Sequence, residues 1–211
     1  LPNEGAESFA SLTSREAVEA FFQKYFKDTL TLLPDLVDQF LANPLGHLGT
    51  VRSEPWHYGG KALILGDAAH AVVPFHGQGM NCAFEDVSAL DACLNDLDQG
   101  WQHVFEQLFA LRKPNAEAIA DMALENYVEM RATVRDPKFA LKKQLAFELE
   151  TRHSPRFIPR YSMVMFHRMP YADAKRRGAI QEAILDELVG KADTLEQVDF
   201  SLAAKLIAER L

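Results

Sequence analysis

Cysteine is scarce in this chain, long apolar runs are missing, and the usual signatures of metal and hydrolytic chemistry do not occur. The two cysteines, Cys82 and Cys93, fall eleven positions apart on one predicted helix, about three turns and ~16 Å. That separation is too great for a disulfide between them, and a reduced, cytoplasmic setting is the expectation. No apolar run approaches the ~18–20 residues of a membrane-spanning helix, and no signal peptide is read at the start. There is no His-Glu-x-x-His and no Cys-x-x-Cys. His70 and His76 stand six apart in a loop, poor spacing for metal ligands, so no metal is expected. Neither neighbours a serine in a nucleophile elbow, which leaves a hydrolase without support. Bases are outnumbered, 22 against 30 acids for a net charge of −8, which argues against non-specific nucleic-acid binding. Internal repeats and low-complexity tracts are also lacking.

What is present is ordinary in bulk. With 211 residues, 48% hydrophobic and 25% charged, the chain has room for one good core or two small domains. Its organising stretch is 61–97. Ala62 to Leu65 is a short apolar burst behind Gly59-Gly60, which predicts a buried strand leaving a tight turn. From Met80 onward, Met80, Ala83, Phe84, Val87, Leu90, Leu94 and Leu97 recur at helical spacing and predict one apolar face. Between strand and helix lies a loop with Asp67, His70, Pro74, His76, Gly77 and Gly79. A Gly-x-Gly pair opening a helix lets a ligand approach unpaired backbone N–H groups at the positive end of the helix dipole. A dinucleotide phosphate loop is rejected, because the third glycine position is Cys82 and the glycines lie well past the strand end.

Elsewhere the pattern is helical. Thr13-x-x-Glu16 reads as a capping box for a helix carrying Val18, Phe21, Phe22 and Tyr25. Pro34 opens another, stopped at Asn43-Pro44. Val51 to Tyr58 is expected to be extended, and Gly100 to break the chain before a helix at Trp101 to Leu111. Pro114 should restart a helix to about Val134, ended by Asp136-Pro137, with a stripe of Ile119, Met122, Ala123 and Met130 interrupted by Asn126. A buried amide without a partner costs about 1–3 kcal/mol, so Asn126 needs either nearby backbone or a bound polar ligand. Leu141 to Glu150 continues helically, and two further helices follow Gly178. Residues 152–177 carry seven Lys/Arg against one Asp. This reads as a solvated face, with a nicotinamide phosphate or an anionic substrate as the alternative. Met163 to Met169 reads as core packing, with an adaptable pocket as the alternative.

Gly66-Asp67-Ala-Ala-His70-Ala-Val-Val-Pro74-Phe75-His76-Gly77-Gln78-Gly79-Met80-Asn81 closely resembles the second flavin-binding motif of the flavoprotein aromatic hydroxylases. The wording is most similar to the kynurenine 3-monooxygenase branch. Segments Ala123–Met130, Phe157–Met163 and Met169–Tyr171 resemble the helical domain of that same branch. The resemblance implies that Asp67 holds the ribityl chain of FAD. It implies further that Gly66, Pro74 and the turn Gly77, Gln78, Gly79, Met80 and Asn81 lie against the cofactor. Substrate would then meet Phe75, His76, Asn126, Met130 and Tyr161. For His76, packing inside the loop is an equal alternative.

The implied architecture is α/β but mostly helical in this chain: the C-terminal part of a GR2-type FAD-binding monooxygenase fold plus a helical C-terminal domain. Residues 1–58 would end the substrate-side region and cross over, 59–112 would close the FAD-binding domain, and 113–211 would form the helical domain. The implied reaction is hydroxylation of L-kynurenine to 3-hydroxykynurenine with O2, NADPH and FAD, within tryptophan degradation and NAD biosynthesis. No catalytic acid–base residue is expected in this half. The family's Gly-x-Gly-x-x-Gly unit, its Asp-Gly motif and the residues gripping the substrate carboxylate should all precede Leu1. A start at Leu1 with loop-like Pro2-Asn3-Glu4-Gly5 predicts a cut through a longer protein, partnered by the missing half or by a homodimer mate. The tail from Asp199 reads as a short amphipathic helix instead of a membrane anchor. A hydroxylase of another aromatic, or a non-catalytic helical interaction module, are the rival readings.

Overall fold

A computed structural model describes residues 1–132 and 136–211. The predicted helix end near Val134 lies outside the described residues. Contacts divide the chain into two units, Leu1–His47 and Leu48–Leu211.

The first unit holds α1 (Arg15–Tyr25), α2 (Lys27–Leu32) and α3 (Leu36–Ala42). The cap of α1 is Ser14, whose side chain accepts from the Ala17 N–H at 3.2 Å. The predicted box is thus displaced by one residue, because Ser14 stands three before that free N–H. Leu12, Val18 and Val37 are buried, and Phe21, Phe22 and Phe40 pack on them.

The second unit opens with a small antiparallel ribbon, β1 (His57–Tyr58) against β2 (Ala62–Leu63), with His57 opposite Leu63 and Tyr58 opposite Ala62. The expected buried strand is therefore shorter and more open than predicted. Ala62 and Ile64 are exposed, while the alternate residues Leu63 and Leu65 pack against Val104 and Leu108, so one side of the segment faces the core and the other does not. After it come α4 (Asp67–His70), a 3-10 turn at Pro74–His76, and α5 (Gly79–Cys93).

A single helix, α6 (Trp101–Ala132), runs 32 residues with Pro114 inside, roughly 48 Å. Its continuity overrides the predicted restart. Pro114 removes one intrahelical N–H, yet Leu108, Ala116, Ile119, Met122 and Ala123 are buried on either side of it, so packing holds the axis together. Beyond lie α7 (Pro137–His153), α8 (Arg160–Phe166), α9 (Tyr171–Val189) and α10 (Phe200–Arg210). Asp136 caps α7 through the Lys138 N–H, and Asp199 caps α10 through Ser201 and Leu202. Helix α9 begins seven residues before the predicted Gly178, directly behind Pro170, a residue that suits a helix entry. Leu145, Leu149, Phe157, Ile184 and Ile207 form one core, while Cys82, Ile119, Met122, Met163 and Ala174 form a second. Among the described residues, no helix is long and apolar enough to cross a membrane.

One expectation is reversed on α5. Met80, Phe84 and Val87 are 69%, 63% and 56% exposed, while Cys82, Asp86 and Cys93 are buried. Leu90 and Leu94 still pack on the core, but the first turns of the helix point Asp86 inward, where the charged partners Arg112 and His70 meet it.

Candidate functional site

Gly66 ends the ribbon with φ +56° and ψ −138°, a conformation open to glycine and strained for other residues. A Cβ there would also meet Ala83 Cβ at 3.2 Å. This backbone turn starts α4 with an exposed Asp67 at its first position. Gly77 adopts the left-handed conformation at φ +66°, which turns the chain from Pro74–His76 into α5. No side chain caps α5, so its first N–H groups stay available to an anionic or carbonyl-bearing ligand. Asp67, Pro74, Gly77, Met80 and Asn81 are all exposed on the turn. Gln78 is buried. Its Oε1 accepts from Tyr171 Oη at 3.1 Å and from Asn81 Nδ2 at 2.9 Å, so its side chain ties the turn to α9.

Beneath the turn lies a buried ionic cluster that sequence reasoning missed. Asp86 is fully buried and accepts from the Gly66 N–H at 3.1 Å, from Arg112 Nε at 2.8 Å, and from His70 Nε2 at 2.5 Å. Arg112 also donates to the Cys82 carbonyl at 3.2 Å and pairs with Glu85 at 2.8 Å. Burial works against charge on His70, but its hydrogen bonds to Asp86 and Cys82 outweigh that and raise its pKa to about 10. Burial likewise resists ionisation of Asp86, yet His70 and Arg112 hold its carboxyl below the usual range. The group is therefore a carboxylate between two cations. His70, Cys82 and Asp86 bring ligand atoms within 4.8 Å of one another. Both Asp86 oxygens are engaged, however, and the Arg112 guanidinium lies against Cys82, so a metal cation would face a fixed positive charge. A signal for the cluster was available: Arg112 continues the Val104 and Leu108 stripe of α6 where an apolar residue is expected.

The residues predicted to meet substrate converge only in part. Phe75 packs against Tyr127 at a tilt with ring centroids 4.6 Å apart, and buried His76 stacks on Tyr161 at 5.4 Å. Asn126, half-buried, donates from Nδ2 to the Phe75 carbonyl. Of the two partners expected for that amide, backbone takes its N–H2 group. His76, Asn126 and Tyr161 line one cavity of about 390 Å³. Phe75 and Met130 do not line it, and Met130 is 60% exposed. Tyr161 is half-exposed, and no hydrogen bond reaches its hydroxyl among the described residues. Burial lowers the pKa of His76 and keeps its ring neutral near pH 7, and its Nδ1 has no partner. Part of the basic segment is paired: Arg152 meets Glu148, Arg160 meets Glu125, and Lys175 meets Asp121. Met163 is fully buried, consistent with core packing.

Comparison with known proteins places these features in a family context. Residues 37–123 match an FAD binding domain. Over the whole chain, the sequence is 48% identical to a kynurenine 3-monooxygenase of Myxococcus xanthus, covering 45% of that protein. It is 47% identical to a kynurenine 3-monooxygenase of Stenotrophomonas maltophilia across 99% of this chain and 46% of the relative. A kynurenine 3-monooxygenase of Dictyostelium discoideum is 42% identical, with 100% of this chain and 49% of the relative covered. The chain spans about half the length of these relatives, and the resemblance read from the motif extends over all of it.

Proposed function

We propose, from this full-length resemblance to part of the kynurenine 3-monooxygenases, that the chain supplies one wall of the flavin site and the substrate-side helices of an FAD-dependent monooxygenase. The observation that carries the reading is the turn at 66–81, where Asp67 and Asn81 are exposed and the first N–H groups of α5 have no side-chain cap. That donor and acceptor set fits FAD: a carboxylate for ribityl hydroxyls, and backbone N–H groups for the electron-rich pyrimidine edge. Gly66, Pro74 and the Gly77–Asn81 turn would line it, with Gln78 acting through its backbone because its side chain is committed to Tyr171. FAD, reduced by NADPH, supplies the O2 chemistry that places a hydroxyl on the aromatic ring.

The chain's own residues bind, orient and exclude water. Asn126 holds the Phe75 carbonyl and so fixes the loop that presents His76. Tyr161, stacked on His76, offers a free hydroxyl to a polar ligand. L-kynurenine, converted to 3-hydroxykynurenine, is the proposed substrate, and His76 would face its ring, with Phe75, outside the cavity, at its edge. Met130, exposed and outside the cavity, would take part only at its rim. The architecture is then the C-terminal part of a GR2-type flavoprotein fold, with 59–112 on the flavin side and 113–211 on the helical side. The exposed Met80, Phe84 and Val87 face of α5 would pack against the remainder of the flavin domain, since three large apolar side chains on one helix face favour burial. The test is direct: the native protein should purify with bound flavin and oxidise NADPH faster when L-kynurenine is added, yielding a product heavier by one oxygen. A flavin-free protein, or one indifferent to L-kynurenine, sinks the reading.

A further inference from the structure

Arg112 stands on α6 where the Val104 and Leu108 stripe asks for an apolar residue, and it is buried. A buried ion pair is a weak source of stability, since apolar residues of similar volume often serve as well or better. Its place in the stripe therefore needs a reason besides the core. That reason lies in where the guanidinium reaches. Its Nε donates to Asp86 Oδ1 at 2.8 Å, and the other oxygen of Asp86 accepts from the Gly66 N–H at 3.1 Å. Its Nη2 donates to the Cys82 carbonyl at 3.2 Å, in the first turn of α5. One side chain thus holds both ends of the 66–82 loop, the start through Asp86 and the end directly.

The start of that loop is braced in the same sense. His70, on α4, meets Asp86 at 2.5 Å and packs on the buried Trp56 ring with centroids 4.9 Å apart. The Ser53 N–H donates to the Ala69 carbonyl at 3.0 Å, and the Val51 N–H to the Ala71 carbonyl at 2.8 Å. Asp67 itself is exposed, and no side chain caps the first N–H groups of α5. A ligand gripped at two points of one loop loses affinity when the spacing between them is free to vary, because binding must then order the loop as well.

We infer that Arg112 is a positioning residue for the flavin. Bound to Asp86 and to the Cys82 carbonyl, it fixes the spacing between Asp67, proposed for the ribityl chain, and the α5 N–H groups, proposed for the pyrimidine edge. The inference rests on the reading of the 66–81 turn as a flavin-binding element. It gives the long helix α6, which offers no flavin contact in that reading, a part in setting cofactor affinity.

The experiment uses full-length apoprotein, prepared by stripping flavin from the native protein, and its Arg112→Lys variant. Lysine keeps the charge and can pair with Asp86, but it lacks the planar fork that serves two partners at once. Dissociation constants are measured for FAD by flavin fluorescence and for ADP by calorimetry. ADP is the half of the cofactor expected at the Gly-x-Gly-x-x-Gly unit. Leu145→Ala, in a separate core cluster, controls for lost stability alone. The expected result for Arg112→Lys is roughly tenfold weaker FAD binding, a change of about 1.4 kcal/mol, with ADP bound as in the parent. Leu145→Ala should lower the melting temperature and bind both ligands as the parent does. Should Arg112→Lys fold poorly, Arg112→Met combined with Asp86→Leu removes the clasp while leaving an apolar core, and the same result is expected of it. Unchanged FAD binding, equal weakening for FAD and ADP, or the same loss of FAD in Leu145→Ala overturns the inference and leaves Arg112 as a core ion-pair partner. A parent that binds no FAD overturns the flavin reading itself, an outcome visible before any variant is made.

Discussion

Two polar clusters in the second unit are built on opposite terms. Under the turn at 66–81, Asp86, Arg112 and His70 are buried with their charges matched and both carboxylate oxygens engaged. Around the cavity, Gln181, His76 and Tyr161 keep polar atoms without partners. A satisfied buried cluster rigidifies backbone, whereas an unsatisfied one is poised to receive a ligand. The first shapes the Gly66 turn from behind, and the second leaves room in front.

The comparison breaks most sharply at Asp86. Asp86→Ala removes the shared anion and leaves two buried cations facing each other, a loss expected at about 3–5 kcal/mol. A melt followed by circular dichroism should show the variant unfolded or far less stable, and a melting temperature equal to the parent's would mean the cluster is dispensable. Next in size is Asp67→Ala. Exposed Asp67 makes no side-chain hydrogen bond in the described structure, so the fold should stay cooperative while flavin affinity falls ten- to a hundredfold, the worth of a charge-assisted bond. Flavin retained through gel filtration counts against its ribityl role.

Smaller effects are expected at the cavity. Asn126→Ala and Tyr161→Phe should each raise KM for L-kynurenine by about tenfold, with flavin content normal. The double variant should lose less than the sum of the two if both groups hold one ligand. If only melting temperatures move, both are packing residues. A further effect is with pH. His70 has a raised pKa, so its contribution to stability is complete below about 6.5 and fades as pH rises through about 10. Asp86 has a lowered pKa, so its contribution is complete above the ordinary carboxylate value near 3.9 and fades as pH falls below it. Stability in urea should therefore decline steadily between pH 7 and 10. A His70→Gln variant with the same slope would place the titration elsewhere.

Much of the helical architecture was legible because the signals are local. Asp136 and Asp199 cap the helices that follow them, and Gly66 and Gly77 take positive φ in the expected turns. Pro114 misled, since a proline reads as a boundary until long-range packing on both sides of it is known. The α5 stripe misled for a related reason. Periodicity identifies a face but does not say what covers it, and Arg112, 26 residues from Asp86 in sequence, pairs with Asp86 on the inward side. Asn126, Arg112 and Gln181 share one signature, a polar residue on an apolar stripe. In the sequence they look alike. The fold separates them into a backbone clamp, an ion-pair partner and an orphan.

What the sequence alone determined was the run of turn residues from Gly66 to Asn81, the helical spacing on both sides of it, and the family resemblance those residues carry. Each depends on neighbours within a few positions, where backbone sterics and capping act. Which charges meet beneath the turn, and which amides are left open in the cavity, was decided by the tertiary structure. Burial and partner choice depend on residues brought together from distant parts of the chain, and an unsatisfied group can be recognised only once its surroundings are complete.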